Sequence, residues 1–158
     1  MSIPAVAIIG ATSHIAKSLI AQFLRHGGFN LHLYARSPER VHNFLKSLPQ
    51  AGGGQARVKD DFQDLNSNMY DFVINCVGVG THNKLRGDYS LYFSVTEEFD
   101  NLAINYLKTC NPNATYISFS SGAVYGQNFS EPVTDDSEHC IRVNHISPEH
   151  FYGIARLN

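Results

Sequence analysis

The segment Gly10-Ala11-Thr12-Ser13-His14-Ile15-Ala16 joins a short apolar run to a helix-like pattern. A glycine at such a junction permits a sharp reversal, and the helix that follows opens with amides that have no partner inside it. Those amides, aligned with the helix dipole, favour an anion. On the spacing Gly-x-x-Gly-x-x-Gly the three places are held by Gly10, Ser13 and Ala16. Alanine is the mildest replacement where a helix must pack close to a sheet. Serine at the middle place adds a side chain but brings a hydroxyl able to donate to a phosphate oxygen. The chemistry that suits this pattern is binding of a dinucleotide pyrophosphate, with Gly10, Thr12, Ser13, His14 and Ile15 around it. The alternative is a turn that binds nothing.

Arg36 follows the second apolar run, Leu31 to Ala35. An acid at that place accepts from the adenosine ribose 2′-hydroxyl and favours NAD. An arginine pairs with a 2′-phosphate, so Arg36, assisted by Ser37 and Arg40, favours NADP over NAD. Positive charge at a helix start opposes the helix dipole, so the fold itself gains little from it. Solvent-facing arginines are the alternative. Asp60 and Asp61 close a third, weaker strand and are placed to reach the adenine amine, unless they only terminate the strand. Cys76, Val77 and Gly78, with Gly80 beyond, close a fourth strand, where glycine lets the middle of a cofactor lie against backbone.

Ser120-Ser121-Gly122-Ala123-Val124-Tyr125-Gly126 follows a fifth strand, and Tyr152-Gly153-Ile154-Ala155-Arg156 comes later. With these segments the chain resembles the short-chain dehydrogenase/reductase superfamily, and most of all its extended branch, the nucleotide-sugar epimerases and dehydratases. It looks like the N-terminal cofactor-binding part alone. That branch carries the glycine-spaced turn, matched in part by Gly10, Ser13 and Ala16. It carries a Ser/Thr ahead of Val-Tyr-Gly, matched by Ser121 ahead of Val124-Tyr125-Gly126. It carries Tyr-x-x-x-Lys, matched by Tyr152 but not by Arg156.

The resemblance implies hydride transfer between nicotinamide C4 and a carbon bearing an alcohol or carbonyl. Tyr152 would move the proton, Ser121 would donate to the substrate oxygen, and the cation four residues on would support the phenolate and hold the ribose. Arg156 keeps the charge on the same helix face without lysine's compact shape. Tyr152 as a packing aromatic is the alternative, although Phe151 is the one expected in the core if only one of the two faces inward, and Tyr125 is a second candidate. The implied function is the NADP-binding domain of an oxidoreductase, epimerase or dehydratase acting on a sugar nucleotide or a similar polar alcohol or carbonyl. A non-catalytic NADP-binding sensor or regulator and a structural or assembly subunit are the other readings. The resemblance also implies a homodimer through the helices at 92–108 and 148–158.

Elements must hold these residues in place. Val6 to Ile9, Leu31 to Ala35, Gln55 to Lys59, Phe72 to Val77 and Thr115 to Phe119 read as strands. His14 to Arg25, a stretch from Ser37-Pro38 through Leu48, Tyr92 to Lys108, and Pro148 to Asn158 read as helices. In the long third helix Val95, Phe99, Leu102, Ala103, Tyr106 and Leu107 form the apolar set. Gly52-Gly53-Gly54 reads as a link, 81–88 as a polar loop and 126–144 as a long loop. The order β-α-β-α-β-β-α-β gives an α/β, doubly wound parallel sheet, a Rossmann-like three-layer sandwich. The pattern stops where such folds usually continue, so the sheet is expected to be cut short before its last strands and the fragment to be inactive alone. Residues 1–158 then form a single dinucleotide-binding domain without a C-terminal substrate-binding portion.

Composition is consistent with that size. The 158 residues carry a net charge of -2 and 43% hydrophobic residues, enough for one filled core. The near-neutral charge gives no case for nucleic acid or a membrane surface as partner. No run reaches membrane-spanning length, and the N-terminus lacks a basic leader. Cys76, Cys110 and Cys140 form no CxxC pair, which suits a reducing, cytoplasmic setting. The eight histidines, including His145 and His150 near Tyr152, have no metal-ligand spacing, so no metal is expected.

Overall fold

Near-continuous apolar runs make strands that bury both faces, and such strands pair in parallel. In the computed structural model, which describes residues 2–49, 54–79, 85, 87–125, 131–138 and 143–157, they do so. Strand β1 is Ala5–Ile9, β2 Asn30–Tyr34, β3 Gln55–Lys59, β4 Phe72–Asn75 and β5 Thr115–Ser118. The helices are α1 His14–His26, α2 Pro38–Ser47, α3 Leu91–Thr109 and α4 Pro148–Ala155. The strands form one parallel sheet in the order β3-β2-β1-β4-β5. In register, β1 sets Ile8 beside Leu33 on one side and beside Ile74 on the other. Readings placed on Gly52, Gly53, Gly80, residues 81–84, Gly126 and Cys140 lie outside the described residues.

Two compact units divide the chain. The first is Met1–Val77 with Phe99–Ser118, and the second is Gly78–Glu98 with Phe119–Asn158. In the first, Val6, Ala7, Ile8, Ile9, Leu31, Leu33 and Val73 are buried. Alternation along β2 puts His32 and Tyr34 on one face and Leu31 and Leu33 on the other. The His32 face is polar inside. The Tyr70 hydroxyl lies 2.7 Å from His32 Nδ1 and 2.7 Å from the Tyr34 hydroxyl. The Tyr106 hydroxyl of α3 accepts from the Tyr70 amide at 2.7 Å. Burial pushes the Tyr34 phenol up to about 12 and raises Tyr70 still further, so both stay neutral hydrogen-bonding groups.

The structure differs from the sequence expectations at several ends. β4 stops at Asn75 rather than Val77, because the Asn75 side-chain oxygen takes the Val77 amide at 3.0 Å and ends the ladder. Ser37 precedes α2 but makes no side-chain cap hydrogen bond; Pro38 alone starts that helix. In α3 the buried row is Tyr92, Thr96, Phe99, Ala103 and Tyr106. Thr96 is buried and Val95 half-buried; the Thr96 hydroxyl is satisfied there by donating to the Tyr92 carbonyl at 2.8 Å. Short 3-10 helices at Phe62–Ser67 and Gly122–Tyr125 occupy stretches that carry no periodic pattern. Among the described residues no helix is long and apolar enough to cross a membrane.

The second unit has a small core of Leu85, Tyr92 and Ala155. Val79, Tyr89, Leu91, Phe93, Phe151 and Tyr152 pack against it.

His32 is only 9% exposed. Burial, then the nearby charges of Arg57 and Lys59, lower its pKa below the usual 6.5. The unfolded chain therefore binds a proton that the folded chain does not. Stability is full above about pH 6.5 and falls as pH drops through the folded value. We expect the melting temperature to fall between about pH 7.5 and about pH 5. That fall should shrink in His32→Gln, which keeps an acceptor for Tyr70, and thermal melts across the range measure it.

Candidate functional site

In the first unit the junction between β1 and α1 is built on one carbonyl. The amides of Gly10 and Ala11 both donate to the Tyr34 oxygen, each at 3.0 Å. This pair of hydrogen bonds to β2 turns the chain, and Gly10 takes φ +79, a conformation that favours glycine. Space makes the same demand. A Cβ on Gly10 would stand 2.8 Å from Val77 Cγ2, 3.0 Å from the Val77 amide nitrogen and 3.1 Å from the Cys76 carbonyl carbon.

Ser13 then caps α1. Its Oγ accepts from the Ala16 amide at 3.1 Å, and its carbonyl accepts from Lys17 at 3.0 Å. That leaves the amides of His14 and Ile15 without a partner inside the helix, as geometry requires. The first turn of α1 carries no acid, so no carboxylate of its own competes for that end. Ser13 thus has a capping role that the sequence reading, which took it as a phosphate donor, did not assign; its hydroxyl hydrogen remains able to donate. Thr12 is half-buried, His14 is exposed, and Ile15 is 45% exposed at this corner.

The exit of β4 is fixed from behind. Asn75 Nδ2 donates to Asp100 Oδ1 at 2.8 Å and to the Tyr116 hydroxyl at 3.3 Å. The Tyr116 hydroxyl donates to the same Asp100 oxygen. Burial, together with that carboxylate, pushes the Tyr116 phenol up to about 12. Asn75 was not singled out from sequence. Its signal was an amide side chain inside an otherwise apolar strand. Cys76 is buried, and burial pushes its thiol up to about 12, so it is an inert side chain.

Three more residues that the sequence assigns to a dinucleotide follow the neighbouring strands β2 and β3. Arg36 is exposed after β2. Asp61 caps the 3-10 helix Phe62–Ser67, accepting from the Gln63 amide at 2.8 Å. Asp60 is exposed and lines an open depression with Pro38, His42 and Lys46.

In the second unit Ser121 ends the loop before the 3-10 helix Gly122–Tyr125. Its Oγ accepts from the Ala123 amide at 3.2 Å, leaving its hydrogen able to donate elsewhere. Helix α4 lies directly on that 3-10 helix, since a Cβ on Gly153 would stand 2.6 Å from the Ala123 oxygen. Tyr152 is half-buried, with its ring 5.3 Å from that of Tyr92 at 63°. The Arg156 guanidinium lies 5.7 Å from the centre of the Tyr152 ring and against Gly78. Tyr152, Arg156 and Gly78 are therefore brought together. Phe151 instead packs with Tyr89 and Phe93 at 6.1 and 5.9 Å. Tyr125 is 42% exposed, and His150 accepts from the Ser147 amide at 3.1 Å as part of the helix start.

A family model described as the NAD dependent epimerase/dehydratase family matches residues 6–157. No curated protein matches the chain. Among solved structures, the UDP-Glc/GlcNAc 4-epimerase of Campylobacter jejuni superposes with a TM-score of 0.71 at 15% identity, over 98% of this chain and 46% of that one. The UDP-glucuronic acid 4-epimerase of Bacillus cereus, in complex with NAD and a fluorinated UDP-glucuronic acid, gives 0.71 at 18%, over 97% and 49%. The UDP-glucose 4-epimerase of Bifidobacterium longum, in complex with NAD+ and UDP, gives 0.67 at 18%, over 97% and 46%. The chain spans about half the length of these proteins.

These matches correct four expectations. The resemblance is not to an N-terminal cofactor-binding part alone, because the family model runs from residue 6 to residue 157. The parallel α/β sheet is supported, but its description as cut short before the last strands is overturned, since the solved folds cover 97–98% of the chain. The inactive fragment falls with it, because the matched stretch includes Ser121, Tyr152 and Arg156. The preference for NADP is also overturned, since four of the solved structures that the chain matches hold NAD. The physical reason lies at Arg36: an exposed arginine after β2 sets no requirement for a 2′-phosphate.

The contact of α4 with the 3-10 helix gives a test. In Gly153→Ala the new methyl meets backbone, which cannot rotate away, so urea denaturation should show a loss of about 1–3 kcal/mol. Gly122→Ala meets nothing within 4 Å, and its effect should stay within about 0.5 kcal/mol.

Proposed function

Because the chain belongs to the NAD dependent epimerase/dehydratase family, we propose that it binds NAD and takes part in reversible oxidation of a nucleotide sugar. The observation that carries this reading is the start of α1. Gly10 lets the turn pack against the end of β4, Ser13 caps one amide, and the amides of His14 and Ile15 have no partner within the helix. The helix end carries no acid in its first turn. An NAD pyrophosphate suits that chemistry: two amides, a serine hydroxyl and a positive dipole end. Ile15 offers apolar surface beside them.

NAD, when bound, supplies a hydride acceptor and donor. The residues of the second unit do the rest. Ser121 donates its free hydroxyl hydrogen to the sugar oxygen that changes between alcohol and carbonyl. Tyr152 takes the hydroxyl proton on oxidation and returns it on reduction. Arg156 supplies the positive charge beside Tyr152 that the family places on a lysine. The substrate class follows the relatives, whose bound ligands include UDP and a UDP-glucuronic acid analogue. The reading extends to a cytoplasmic homodimer through α3, where Ile104 is 38% exposed, and α4, with no nucleic-acid partner.

Titration with NADH and NADPH, followed by nicotinamide fluorescence, tests the cofactor. NADH should bind more tightly, and Arg36→Ala should leave its affinity within about twofold. Tyr152→Phe should keep NADH affinity and lose hydride exchange with a UDP-hexose by about 100-fold or more. No NADH binding at about 1 mM, or full exchange in Tyr152→Phe, overturns the reading.

A further inference from the structure

Gly78 opens the second unit, at the exit of β4. A Cβ there would stand 1.7 Å from Arg156 Nη2, 2.9 Å from Cζ and 3.4 Å from Nη1. The atoms met are the far end of a flexible side chain, so a methyl at 78 would move the guanidinium from this place. Gly78 is not among the glycines with positive φ. Backbone conformation therefore does not call for glycine at this place; what the glycine provides is the space that the Arg156 guanidinium occupies.

The arginine is held along its length. Its amide donates to the Gly153 carbonyl at 3.1 Å, and its own carbonyl accepts from Ser120 Oγ at 3.1 Å. Nη1 makes a long contact of 3.5 Å with the Phe119 oxygen. The guanidinium carbon lies 5.7 Å from the centre of the Tyr152 ring, and the Tyr92 ring lies 5.3 Å from the same ring. A planar cation over an aromatic face restrains that ring as well as attracting it.

We infer that Gly78 and Arg156 form a positioning pair for Tyr152: the glycine is the seat of the guanidinium, and the seated guanidinium holds the tyrosine ring. The seat stands on packing alone, whereas its use in proton transfer rests on the oxidoreductase reading of Tyr152. Lysine ends in a single nitrogen rather than a fork. A lysine at 156 therefore has less need of the seat, and the cost of a methyl at 78 depends on which cation stands at 156.

The test crosses Gly78→Ala with Arg156→Lys and follows kcat for hydride exchange with a UDP-hexose beside NADH affinity. Gly78→Ala alone should lower kcat about tenfold or more, with NADH affinity changed by less than about threefold. In the Arg156→Lys background the same change should cost about twofold or less. Equal costs in both backgrounds overturn the pairing. So does a loss carried by NADH affinity, which assigns the glycine to the cofactor instead. A second measurement uses the protein without cofactor. The Tyr152 ring should shift the Arg156 Nε–H resonance, and the shift should vanish in Gly78→Ala and in Tyr152→Leu. Its absence from the parent protein overturns the seat. If the shift behaves as expected but no variant binds NADH, the seat is supported and its use in catalysis is overturned together with the oxidoreductase reading.

Discussion

The first unit depends on how closely two stretches of backbone approach each other at the ends of β1 and β4. Gly10 faces the Cys76 carbonyl carbon and the Val77 amide at distances where a single methyl would collide. Backbone atoms cannot rotate aside as side chains do, and Gly10 also holds φ +79, so space and conformation together favour glycine there. Two amides on the one Tyr34 carbonyl hold the first stretch, and the Asn75 side chain holds the second. Since α1 begins directly after this turn, the orientation of its amide end is set by the same few bonds. The fixed turn and the helix end are one construction, held by backbone hydrogen bonds and by the side chains of Asn75 and Ser13.

The second unit is held by different means. Helix α4 has eight residues, too few to be stable in water by itself. It is kept by aromatic contacts, with Phe151 between Tyr89 and Phe93 and Tyr152 beside Tyr92, and by the close approach at Gly153. Aromatic rings bury much area per residue and restrain each other's orientation. Arg156 adds a cation to that cluster at the helix end, where a positive charge also suits the dipole.

Much of the first unit was legible in the sequence. The apolar run at 5–9 read as a central strand, 72–77 read as a strand, and the turn at Gly10 read as a reversal before a helix. What escaped was long-range or doubly meaningful. Ser13 reads equally as a helix cap and as a ligand donor, because both roles use the same hydroxyl. Asp61 looked placed for a ligand, yet one of its oxygens caps a 3-10 helix too short to leave a periodic signature. Asn75 meets Asp100 and Tyr116, partners that no local pattern connects to it. Gly78 looked like room for a ligand, and its space is taken by an arginine far along the chain. The cofactor preference failed because Arg36 was read as a partner for a 2′-phosphate over the alternative of a solvent-facing arginine, and it is exposed.

The strand order also leaves the sheet with two unlike margins. β3 carries Arg57 and Lys59, and two cations along a border resist addition of another chain. β5 is Thr115–Ser118, uncharged, with Ile117 38% exposed. At high concentration, unwanted stacking of one molecule on another should start from that second border, and a lysine in place of Ile117 is the simplest guard against it.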